Sequence, residues 1–236
     1  MGGAGLPYSP RGGNTAVKEK IKETKTQEKI SKASIARMPL YLHFLQEENS
    51  KGAQYISCTV IAQNISVSPV LVRKDLELVS SEAGRPKLGF AVSRLIVDIE
   101  KFLGYDRISD AVVVGAGGLG RAFLGYEGFK NNGLNVIAAF DVDERLVGTS
   151  VLGKPILALR DLKAFVEAHN VPIGIVTVPK TVAQQVVDVL VDAGIRAIWN
   201  FAPASLRVPK NIVLKTEDLA ASLAMLAGKL YKTGDC

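Results

Sequence analysis

Three glycines, Gly115, Gly117 and Gly120, directly follow an apolar run at residues 111–114 and open a helical stretch. At this spacing the first glycine permits a tight turn, the second lets the backbone approach a ligand closely, and the third lets helix and strand pack together. The amino end of the helix attracts negative charge. The pattern therefore predicts a loop that holds the pyrophosphate of a dinucleotide. The candidate residues are Gly115, Ala116, Gly117, Gly118, Leu119 and Gly120.

An acidic residue stands where such a site needs one. A second apolar stretch at residues 135–140 leads to Asp141, which lies 21 residues beyond Gly120. A carboxylate at the end of the second strand accepts hydrogen bonds from ribose hydroxyls and repels a 2′-phosphate, which favours NAD(H) over NADP(H). Asp141 is the first candidate, with Val142 beside it and Asp143 as the second candidate. The alternative is a glycine-rich turn that binds nothing.

No pattern in this half of the chain predicts a reaction on the bound dinucleotide. A hydride-transfer enzyme needs an acid–base group and a second domain that holds the substrate. His169 follows a helical stretch at residues 164–168, which indicates a solvated histidine at a helix end, and no Lys, Tyr or Cys recurs at a catalytic spacing. We therefore predict no catalytic residue and no enzyme activity, with NAD(H) as a ligand that is sensed.

A second group of candidate residues lies in the front half, where two short helical stretches flank a tight turn. Ser68 and the proline after it begin the later stretch, because serine caps a helix and proline suits its first turn. This stretch carries Arg73 and Lys74, as a recognition helix does when it contacts base edges and phosphates. Ser66 and Ser68 are expected to donate to phosphate, whereas Asp75 is expected to pair with a basic side chain. The alternative is a solvated helix face.

Residues 80–90 beyond this helix are rich in Gly, Ser, Arg and Lys, which predicts a β-hairpin wing whose Arg85 and Lys87 contact DNA. Residues 1–108 carry 16 Lys+Arg and 11 Asp+Glu, a difference of +5, whereas residues 109–236 carry 13 and 12, a difference of +1. A basic front half and a nearly neutral back half indicate that the front half meets a polyanion. The alternative is a lysine-rich solvated tail.

Composition excludes several classes of protein. The chain has 236 residues, of which 47% are hydrophobic and 22% charged, so it can bury a core. No apolar run is long enough for a membrane span, and the first thirty residues lack the apolar segment of a secretory signal. The pairs Cys58 and Cys236, and His43 and His169, do not form a zinc pattern. We predict a cytoplasmic protein with no membrane partner, no disulfide and no metal.

The elements that must position these residues fall into four parts. Residues 1–30 are poor in aliphatic side chains and are expected to form a mobile leader. Residues 31–108 are predicted to form a winged-helix (helix-turn-helix) DNA-binding domain with a connecting helix. Residues 109–217 alternate apolar strands with helices, which predicts an α/β NAD(H)-binding domain with a Rossmann-type doubly wound parallel sheet. Residues 218–236 are predicted to form an apolar C-terminal dimerisation helix.

Local patterns give finer predictions. Pro39 is expected in the first turn of a helix over residues 35–48, where proline is tolerated. Further helices are predicted over residues 121–130 and 182–193, and further strands over residues 174–178 and 196–201.

A winged helix followed by an NAD-type Rossmann domain resembles the Rex family of redox-sensing transcriptional repressors. The resemblance spans residues 31–230 and rests on short runs that occur in the family's order. These runs are VRKDL at 72–76, VGAGGLGRA at 114–122, AFDVD at 139–143, TVP at 177–179, AGI at 193–195 and NFAP at 200–203.

The resemblance implies a homodimer that binds palindromic double-stranded operator DNA when NADH is scarce and releases it when NADH accumulates. It also implies a C-terminal helix that is swapped between protomers near the nicotinamide. By position, Tyr126 would lie close to the nicotinamide, and Asp218 and Leu219 would begin the swapped helix. A pocket floored by Phe201 and Leu219 would favour NADH, because the oxidised ring is cationic. Two runs would line the cleft: Thr177, Val178 and Pro179, and Asn200, Phe201, Ala202 and Pro203.

Three features depart from the family pattern. His43 stands where relatives carry an arginine that pairs with the acid of the swapped helix. If His43 pairs with Asp218 to couple the two sites, the switch becomes pH-sensitive, because histidine titrates near neutrality. Equal NADH-induced operator release at pH 6 and pH 8 would contradict this hypothesis. Residues 77–87 lack a Phe-Gly-rich wing, and Leu219 replaces an expected aromatic residue.

Two other functions stay open. An NAD-dependent oxidoreductase with an accessory N-terminal domain would turn over cofactor with a small substrate and ignore duplex DNA. A nucleotide-binding regulatory module similar to CoA-binding domains would bind a protein partner instead. The second is favoured if the front half binds no duplex at low salt, where phosphate contacts are strongest.

Overall fold

The structure is a computed structural model that describes residues 31–233. The predicted leader at residues 1–30 and the last three residues lie outside the described range. The chain divides into two compact units, with the division between Gly104 and Tyr105. Among the helices of residues 31–233, none has an apolar stretch of the length that a bilayer requires.

The first unit contains a helix-turn-helix. Its elements are α1 (Lys32–Ser50), β1 (Tyr55–Ile56), α2 (Cys58–Asn64), α3 (Pro69–Val79), β2 (Phe90–Ala91) and α4 (Val92–Leu103). Serine side chains start three of the helices: Ser31, Ser57 and Ser68 each accept a hydrogen bond from the backbone N–H three residues further on. The short strands β1 and β2 pair antiparallel. Helices α2 and α3 lie on either side of the tight turn, as predicted.

Pro39 lies inside α1, and the prediction that it marks a first turn is wrong. Capping by Ser31 starts the helix at Lys32, which makes Pro39 its eighth residue. Proline cannot donate to the carbonyl of Ile35, but both residues are exposed and water can serve that oxygen. The helix is held instead by its buried side chains, Met38, Tyr41, Leu42, Phe44 and Leu45.

The predicted β-hairpin wing is present in a minimal form, shorter than a pair of full strands. Between residues 80 and 89 the structure has a single isolated bridge, which joins Arg85 and Gly89. Lys87 and Gly89 have φ angles of 65° and 91°, which close a tight turn. A Cβ at Gly89 would overlap the backbone carbonyl of Ile56, so the turn lies directly against β1. The wing is therefore a short turn at the base of β2.

The second unit is a seven-stranded sheet with helices around it. Its strands are β3 (Ser109–Val114), β4 (Leu134–Asp141), β5 (Ser150–Val151), β6 (Lys154–Ala158), β7 (Ile173–Val176), β8 (Ala197–Asn200) and β9 (Val213–Thr216). Its helices are α5 (Gly118–Gly125), α6 (Leu162–His169), α7 (Ala183–Asp192) and α8 (Leu219–Thr233), with 3-10 turns at Glu127–Asn132 and Leu159–Asp161.

The strand order is β5-β6-β4-β3-β7-β8-β9, and every neighbouring pair except β5 and β6 is parallel. The six parallel strands have the order of the Rossmann fold. One face of the sheet packs Val112, Val114 and Phe140 against α6 and α7, and the other packs Val113 and Ala139 against α5. From β3 the chain first adds strands on one side of the sheet and then, from β7 on, adds them on the other side. A ligand cleft is expected at this switch point, where β3 and β7 end.

Several boundaries in this unit differ from the prediction. The helix predicted over residues 121–130 ends at Gly125 and continues as a 3-10 turn. The strands predicted to reach residues 178 and 201 end at Val176 and Asn200, so the residues after them form loops at the cleft. Strands β5, β6 and β9 have no counterpart in the prediction, because they are two to five residues long and lie towards the sheet edges.

Candidate functional site

The glycine loop follows β3 at the reversal of strand order. Gly115 has a φ of +101°, and a Cβ there would lie 2.8 Å from the carbonyl oxygen of Thr177. A Cβ at Gly120 would overlap the carbonyl oxygen of Gly115, so helix and strand meet at van der Waals limits. In contrast, no atom of the surrounding described residues lies within 4 Å of a Cβ built at Gly117 or Gly118. The loop is therefore tightly packed at Gly115 and Gly120 and open at Gly117 and Gly118. This arrangement fits a pyrophosphate bound to backbone N–H groups.

Thr177 braces this loop from the end of β7. Its backbone N–H donates to Val114 O at 2.9 Å, and its Oγ1 lies 2.7 Å from Gly115 O and 3.1 Å from Val114 O. A hydroxyl has one hydrogen to donate, and here that hydrogen serves the loop backbone. Of the residues that follow, Val178 is half-buried and Pro179 is exposed. Thr177 therefore positions the loop, and its neighbours are left to contact a ligand.

The carboxylate of Asp141 is bound to three backbone N–H groups. Oδ2 accepts from Ala116 at 2.6 Å, and Oδ1 accepts from Val142 at 2.7 Å and from Asp143 at 2.9 Å. Each carboxylate oxygen has two lone pairs, so Oδ1 is filled and Oδ2 keeps one acceptor position for a ribose hydroxyl. Asp141 thus ties the glycine loop to the end of β4 and keeps its negative charge at the site.

Asp143, the second candidate, is engaged elsewhere. Its carboxylate accepts hydrogen bonds from Nε and Nη2 of Arg145 at 2.9 and 2.7 Å. These bonds lower the pKa of Asp143 to about 2. Because Arg145 already neutralises this charge, Asp141 is better suited to the ribose. Val142, between the two acids, is 77% exposed, and its side chain is free to cover a ligand.

A cleft of about 370 Å³ opens beside Asp141. It lies at the carboxyl ends of β4 and β6, where the adenosine half of a dinucleotide is expected in this fold. Sequence reasoning missed the β6 side of the cleft, and the signal that could have found it is the third strand that must flank β4 in a Rossmann order. The lining residues are Asp141, Val142, Glu144, Val147, Ala158, Leu159 and Arg160.

The run after β8 divides into braces and exposed residues. Asn200 is fully buried: its Nδ2 donates to Ala202 O at 3.0 Å and its Oδ1 accepts from Ala202 N at 2.9 Å. Ala202 is 1% exposed, so neither side chain is presented to a ligand. Phe201 is half-buried and Pro203 exposed, which leaves these two as ligand contacts from this run.

Phe201 belongs to a group of rings here called the aromatic cluster: Phe123, Tyr126, Phe129, Trp199 and Phe201. Sequence reasoning named only Tyr126 and Phe201 from this group. Phe201 lies 4.7 Å from both Phe123 and Trp199, measured between ring centroids. Tyr126, the predicted nicotinamide neighbour, is 56% exposed and meets Phe129 edge-on at 4.8 Å. The cluster brings rings from α5, the 3-10 turn after it and the end of β8 into contact.

Asp218 and Leu219 begin α8, as the resemblance implies. Oδ1 of Asp218 accepts from the backbone N–H of Ala221 at 2.8 Å, so Asp218 caps its own helix. Leu219 is 61% exposed. Further exposed apolar residues follow along α8: Leu223, Met225, Leu226, Leu230 and Tyr231.

His43, the other predicted coupling residue, lies on α1 with its side chain 78% exposed. Its Nε2 is 3.1 Å from Oε1 of Glu47, one helical turn further on. The predicted pairing of His43 with Asp218 stays a prediction.

The candidate DNA surface is formed by α3 and the turn before it. Arg73 and Lys74 are both exposed on α3. Ser68 caps the helix by accepting from Leu71 N at 3.3 Å, which leaves its hydroxyl hydrogen free to donate. Ser66 is exposed in the turn, with a φ of 56°. All four residues are exposed, and their contact with DNA stays a prediction.

The buried side of α3 is fixed by Asp75, which pairs with a basic side chain as predicted. Asp75 accepts from Nε and Nη2 of Arg37 at 2.7 and 3.0 Å and from the Tyr41 hydroxyl at 2.7 Å. Burial alone would raise its pKa, but these bonds lower it below the ordinary value. Burial and the bond to Asp75 raise the pKa of Tyr41 to about 12. The group anchors α3 to α1, so Arg73 and Lys74 are held on a fixed helix face.

The wing turn presents the two predicted cations. The guanidinium of Arg85 lies over the ring of Tyr55, 5.0 Å from its centroid, and both Arg85 and Lys87 are exposed. A cation stacked on a ring in this way is held in place yet can still contact phosphate.

Within residues 31–233, no group of three or more His, Cys, Asp or Glu side chains is arranged to hold a metal ion. His169 ends α6, where its ring stacks on Phe165 with centroids 4.1 Å apart, so this histidine has the helix-end position that the sequence indicates.

The fold and the site together define the class of proteins that join a helix-turn-helix unit to a dinucleotide-type Rossmann unit. Two family descriptions match the two parts: "Putative DNA-binding protein N-terminus" over residues 29–77 and "CoA binding domain" over residues 106–204. The redox-sensing transcriptional repressor Rex of Treponema denticola is 42% identical over 82% of this chain and 91% of its own length. The Rex protein of Bacillus subtilis is 37% identical over 86% and 93%. The chain belongs to the Rex family of redox-sensing transcriptional repressors.

Two solved structures of the protein RSP are similar to this chain over most of its length. The structure of RSP in complex with β-NAD⁺ and operator DNA has a TM-score of 0.82 and 32% identity, over 86% of this chain and 94% of that chain. RSP in complex with β-NADH has a TM-score of 0.79 and 31% identity, over 87% of this chain and 96% of that chain.

Proposed function

We propose that this protein is an NADH-responsive transcriptional repressor that binds palindromic operator DNA as a homodimer and releases it when NADH binds. The observation that carries the proposal is the presence in one chain of an open glycine loop backed by Asp141 and of exposed cations on a helix-turn-helix. Its similarity to RSP, which has been solved with β-NAD⁺ and operator DNA and with β-NADH, supports both ligands.

The dinucleotide is held by residues at the carboxyl ends of β3, β4, β7 and β8. The backbone N–H groups of residues 117–120 bind the pyrophosphate, and Oδ2 of Asp141 accepts one ribose hydroxyl. The cleft beside Val142 and Arg160 takes the adenine. Asp141 disfavours NADP(H), because a 2′-phosphate would meet a carboxylate that cannot turn away without losing its three backbone bonds.

Reduced and oxidised forms are distinguished by apolar side chains at the strand ends, here called the nicotinamide wall. The nicotinamide is cationic in the oxidised form and neutral in the reduced form, and a cation is costly to place against apolar side chains without a partner. Phe201 and Tyr126, together with Val178 and Pro179, supply apolar contacts at the strand ends. Leu219, at the start of α8, adds to this surface when the helix of a partner lies there.

The homodimer is supported by α8. Its line of leucines, Leu219, Leu223, Leu226 and Leu230, recurs at helical spacing, and each side chain is more than 60% exposed. Such a helix gains stability by burying its apolar stripe against a partner. A helix swapped between protomers meets this need and brings two recognition helices to one palindromic site.

DNA contacts come from α3 and the wing turn. Arg73 and Lys74 reach base edges and phosphates from α3, and Ser66 and Ser68 donate to phosphate at the turn before it. Arg85 and Lys87 contact the duplex from the wing. The short wing predicts an operator preference that depends mainly on α3.

The protein acts as a regulator in the cytoplasm, not as an enzyme. A second candidate function, a nucleotide-binding regulatory module with a protein partner, is favoured by the match to the CoA binding domain over residues 106–204. An NAD-dependent oxidoreductase would need an acid–base group in the cleft.

The deciding experiment selects duplexes from a random library by gel shift, then repeats the selection with NADH and with NAD⁺. We expect an inverted repeat that is released by NADH and retained with NAD⁺. A chain that binds no duplex at low salt, or that binds CoA in preference to NADH, would support the second candidate. Oxidation of NADH in the presence of a small carbonyl substrate would support the enzyme.

A further inference from the structure

Trp199 is the single tryptophan of the chain, and it joins two parts of the Rossmann unit that the proposed function uses separately. Its indole Nε1 donates to Oε1 of Glu217 at 3.2 Å. On its other side, the indole stacks on the ring of Phe123, with centroids 5.7 Å apart and planes 7° from parallel. The side chain is half-buried, so it is packed between these two contacts.

Phe123 connects this indole to Phe201, which is a proposed ligand contact. It lies on α5, the helix that begins at the glycine loop, and its ring is 4.7 Å from that of Phe201. Phe201 is also 4.7 Å from Trp199, so each of the three rings touches the other two. Packed rings leave little free space, and a shift of Phe201 must be taken up by Trp199 or by Phe123.

Glu217 connects the indole to α8. It directly precedes Asp218, the residue that caps α8, and its backbone N–H donates to Asn200 O at 2.8 Å. The side chain and the backbone of Glu217 are therefore both held by the end of β8. A change in the indole bond alters the point at which the chain leaves the sheet and enters α8.

We propose that Trp199 and Glu217 are positioning residues that couple the nicotinamide wall to the start of α8. The inference rests on the proposed function, because α8 is the element that joins protomers there. Phe201 lines the wall, Trp199 packs on Phe201, and the indole bond fixes Glu217 beside the helix cap. Breaking this bond leaves both ligand sites complete but removes the link between them.

The test compares four variants of the full-length protein. Trp199→Phe keeps a ring and removes the N–H donor, and Glu217→Ala removes the acceptor. Glu217→Gln keeps an acceptor oxygen and serves as the conservative rescue. Lys215→Ala is the matched control, because it removes the exposed Lys215–Glu217 pair at 3.5 Å and leaves the indole bond. For each we would measure thermal unfolding, NADH affinity, and operator affinity with and without saturating NADH.

We expect Trp199→Phe and Glu217→Ala to bind NADH and operator separately with affinities near those of the wild type. The ratio of operator affinities without and with NADH should fall about fivefold or more, within the usual range of allosteric coupling factors. Glu217→Gln and Lys215→Ala should keep the wild-type ratio. Combining Trp199→Phe with Glu217→Ala should cost no more than either change alone, because both remove one bond.

An unchanged ratio in both single variants would overturn the coupling role while leaving the proposed function intact. A fall in the ratio that merely follows a loss of NADH affinity or of folding would also overturn it. If the wild-type protein itself shows a ratio of one, the proposed function fails, and the coupling role fails with it.

Discussion

At the scale of single residues, several side chains that the sequence marks as ligand contacts make their hydrogen bonds to the backbone of the site itself. Thr177 binds the carbonyl oxygens at the start of the glycine loop, and Asn200 closes the turn after β8. Asp141 both binds the backbone and can bind a ligand. Two backbone donors fill its Oδ1, whereas its Oδ2 accepts from one donor and keeps one acceptor position. The polar side chains of the site therefore fix its backbone.

Gly120 is a residue at which a single methyl group should weaken ligand binding. In Gly120→Ala the new Cβ would overlap Gly115 O, so α5 must move away from β3. We expect NADH affinity to fall by tenfold or more, which corresponds to about 1.4 kcal/mol, as measured by NADH fluorescence titration. Gly118→Ala is the control for folding, because its Cβ would enter open space. Equal thermal stability and NADH affinity in Gly120→Ala and wild type would contradict the close packing.

Asp75 should make stability depend on pH in the acid range. Its pKa is lowered in the folded state by Arg37 and Tyr41, so its contribution is complete above the ordinary value of 3.8 and is lost as the pH falls through the lower folded value. Asp75→Asn should flatten this acid-range dependence and lower the unfolding free energy at neutral pH by about 2 kcal/mol, less than for a fully buried pair because Arg37 is partly exposed. Urea unfolding at several pH values measures both.

The exposed pair of Asp143 and Arg145 provides the comparison for Asp75. Both side chains are solvated, so Asp143→Asn should leave the unfolding free energy at neutral pH nearly unchanged. An equal loss of unfolding free energy in Asp75→Asn and Asp143→Asn would contradict the larger contribution that we expect from the buried Asp75.

At the scale of elements, α3 should contribute phosphate contacts that salt weakens. Lys74→Ala is expected to reduce operator and random-duplex affinity alike and to lower the slope of log affinity against log salt by about one. If Arg73 contacts base edges as we propose, Arg73→Ala should instead weaken operator binding more than random-duplex binding. Fluorescence anisotropy at several salt concentrations separates the two. Lys180→Ala, an exposed lysine of the second unit, is the control.

Helix α8 should be the element that sets the oligomeric state. A charge in its exposed apolar stripe cannot be buried without cost, so Leu226→Asp should raise the dimer dissociation constant by about tenfold or more. Ala221→Glu places a charge on the opposite side of the helix and should leave the dimer intact. Sedimentation velocity across a concentration series measures the change, and a monomeric wild type would contradict the assignment.

Elements with a strong pattern were predictable, and those defined by tertiary contacts were not. The run at 111–114 and the serine before α3 fix β3 and the helix start through burial and capping, which are local properties. Strands β6 and β9 are short and partly exposed, so their sequences carry little apolar pattern, and pairing with neighbours creates them. The short extent of the wing was not predictable for a similar reason, because Gly89 packs on Ile56, which lies far away in sequence.

The candidate site was predictable to the extent that it follows the chain. Glycine spacing and the acid after β4 marked the loop, but spacing does not show whether a polar side chain faces the ligand or the backbone. The aromatic cluster was missed because Phe123 and Trp199 are 76 positions apart and meet only once the sheet has formed.

At the scale of the whole molecule, the two ligands should oppose each other by the same factor. If NADH lowers operator affinity, thermodynamic linkage requires operator DNA to lower NADH affinity equally. We expect a reduction of about fivefold or more when NADH is titrated in the presence of saturating operator. A scrambled duplex of equal length is the control, and identical NADH affinity with either duplex would contradict the switch.

The three backbone bonds of Asp141 limit how this protein can change its coenzyme. The same carboxylate positions the loop that is proposed to bind the pyrophosphate. A substitution that admits a phosphorylated ribose therefore also removes bonds that hold this loop. Adaptation toward NADP(H) would therefore require a second change that replaces the three backbone bonds of Asp141.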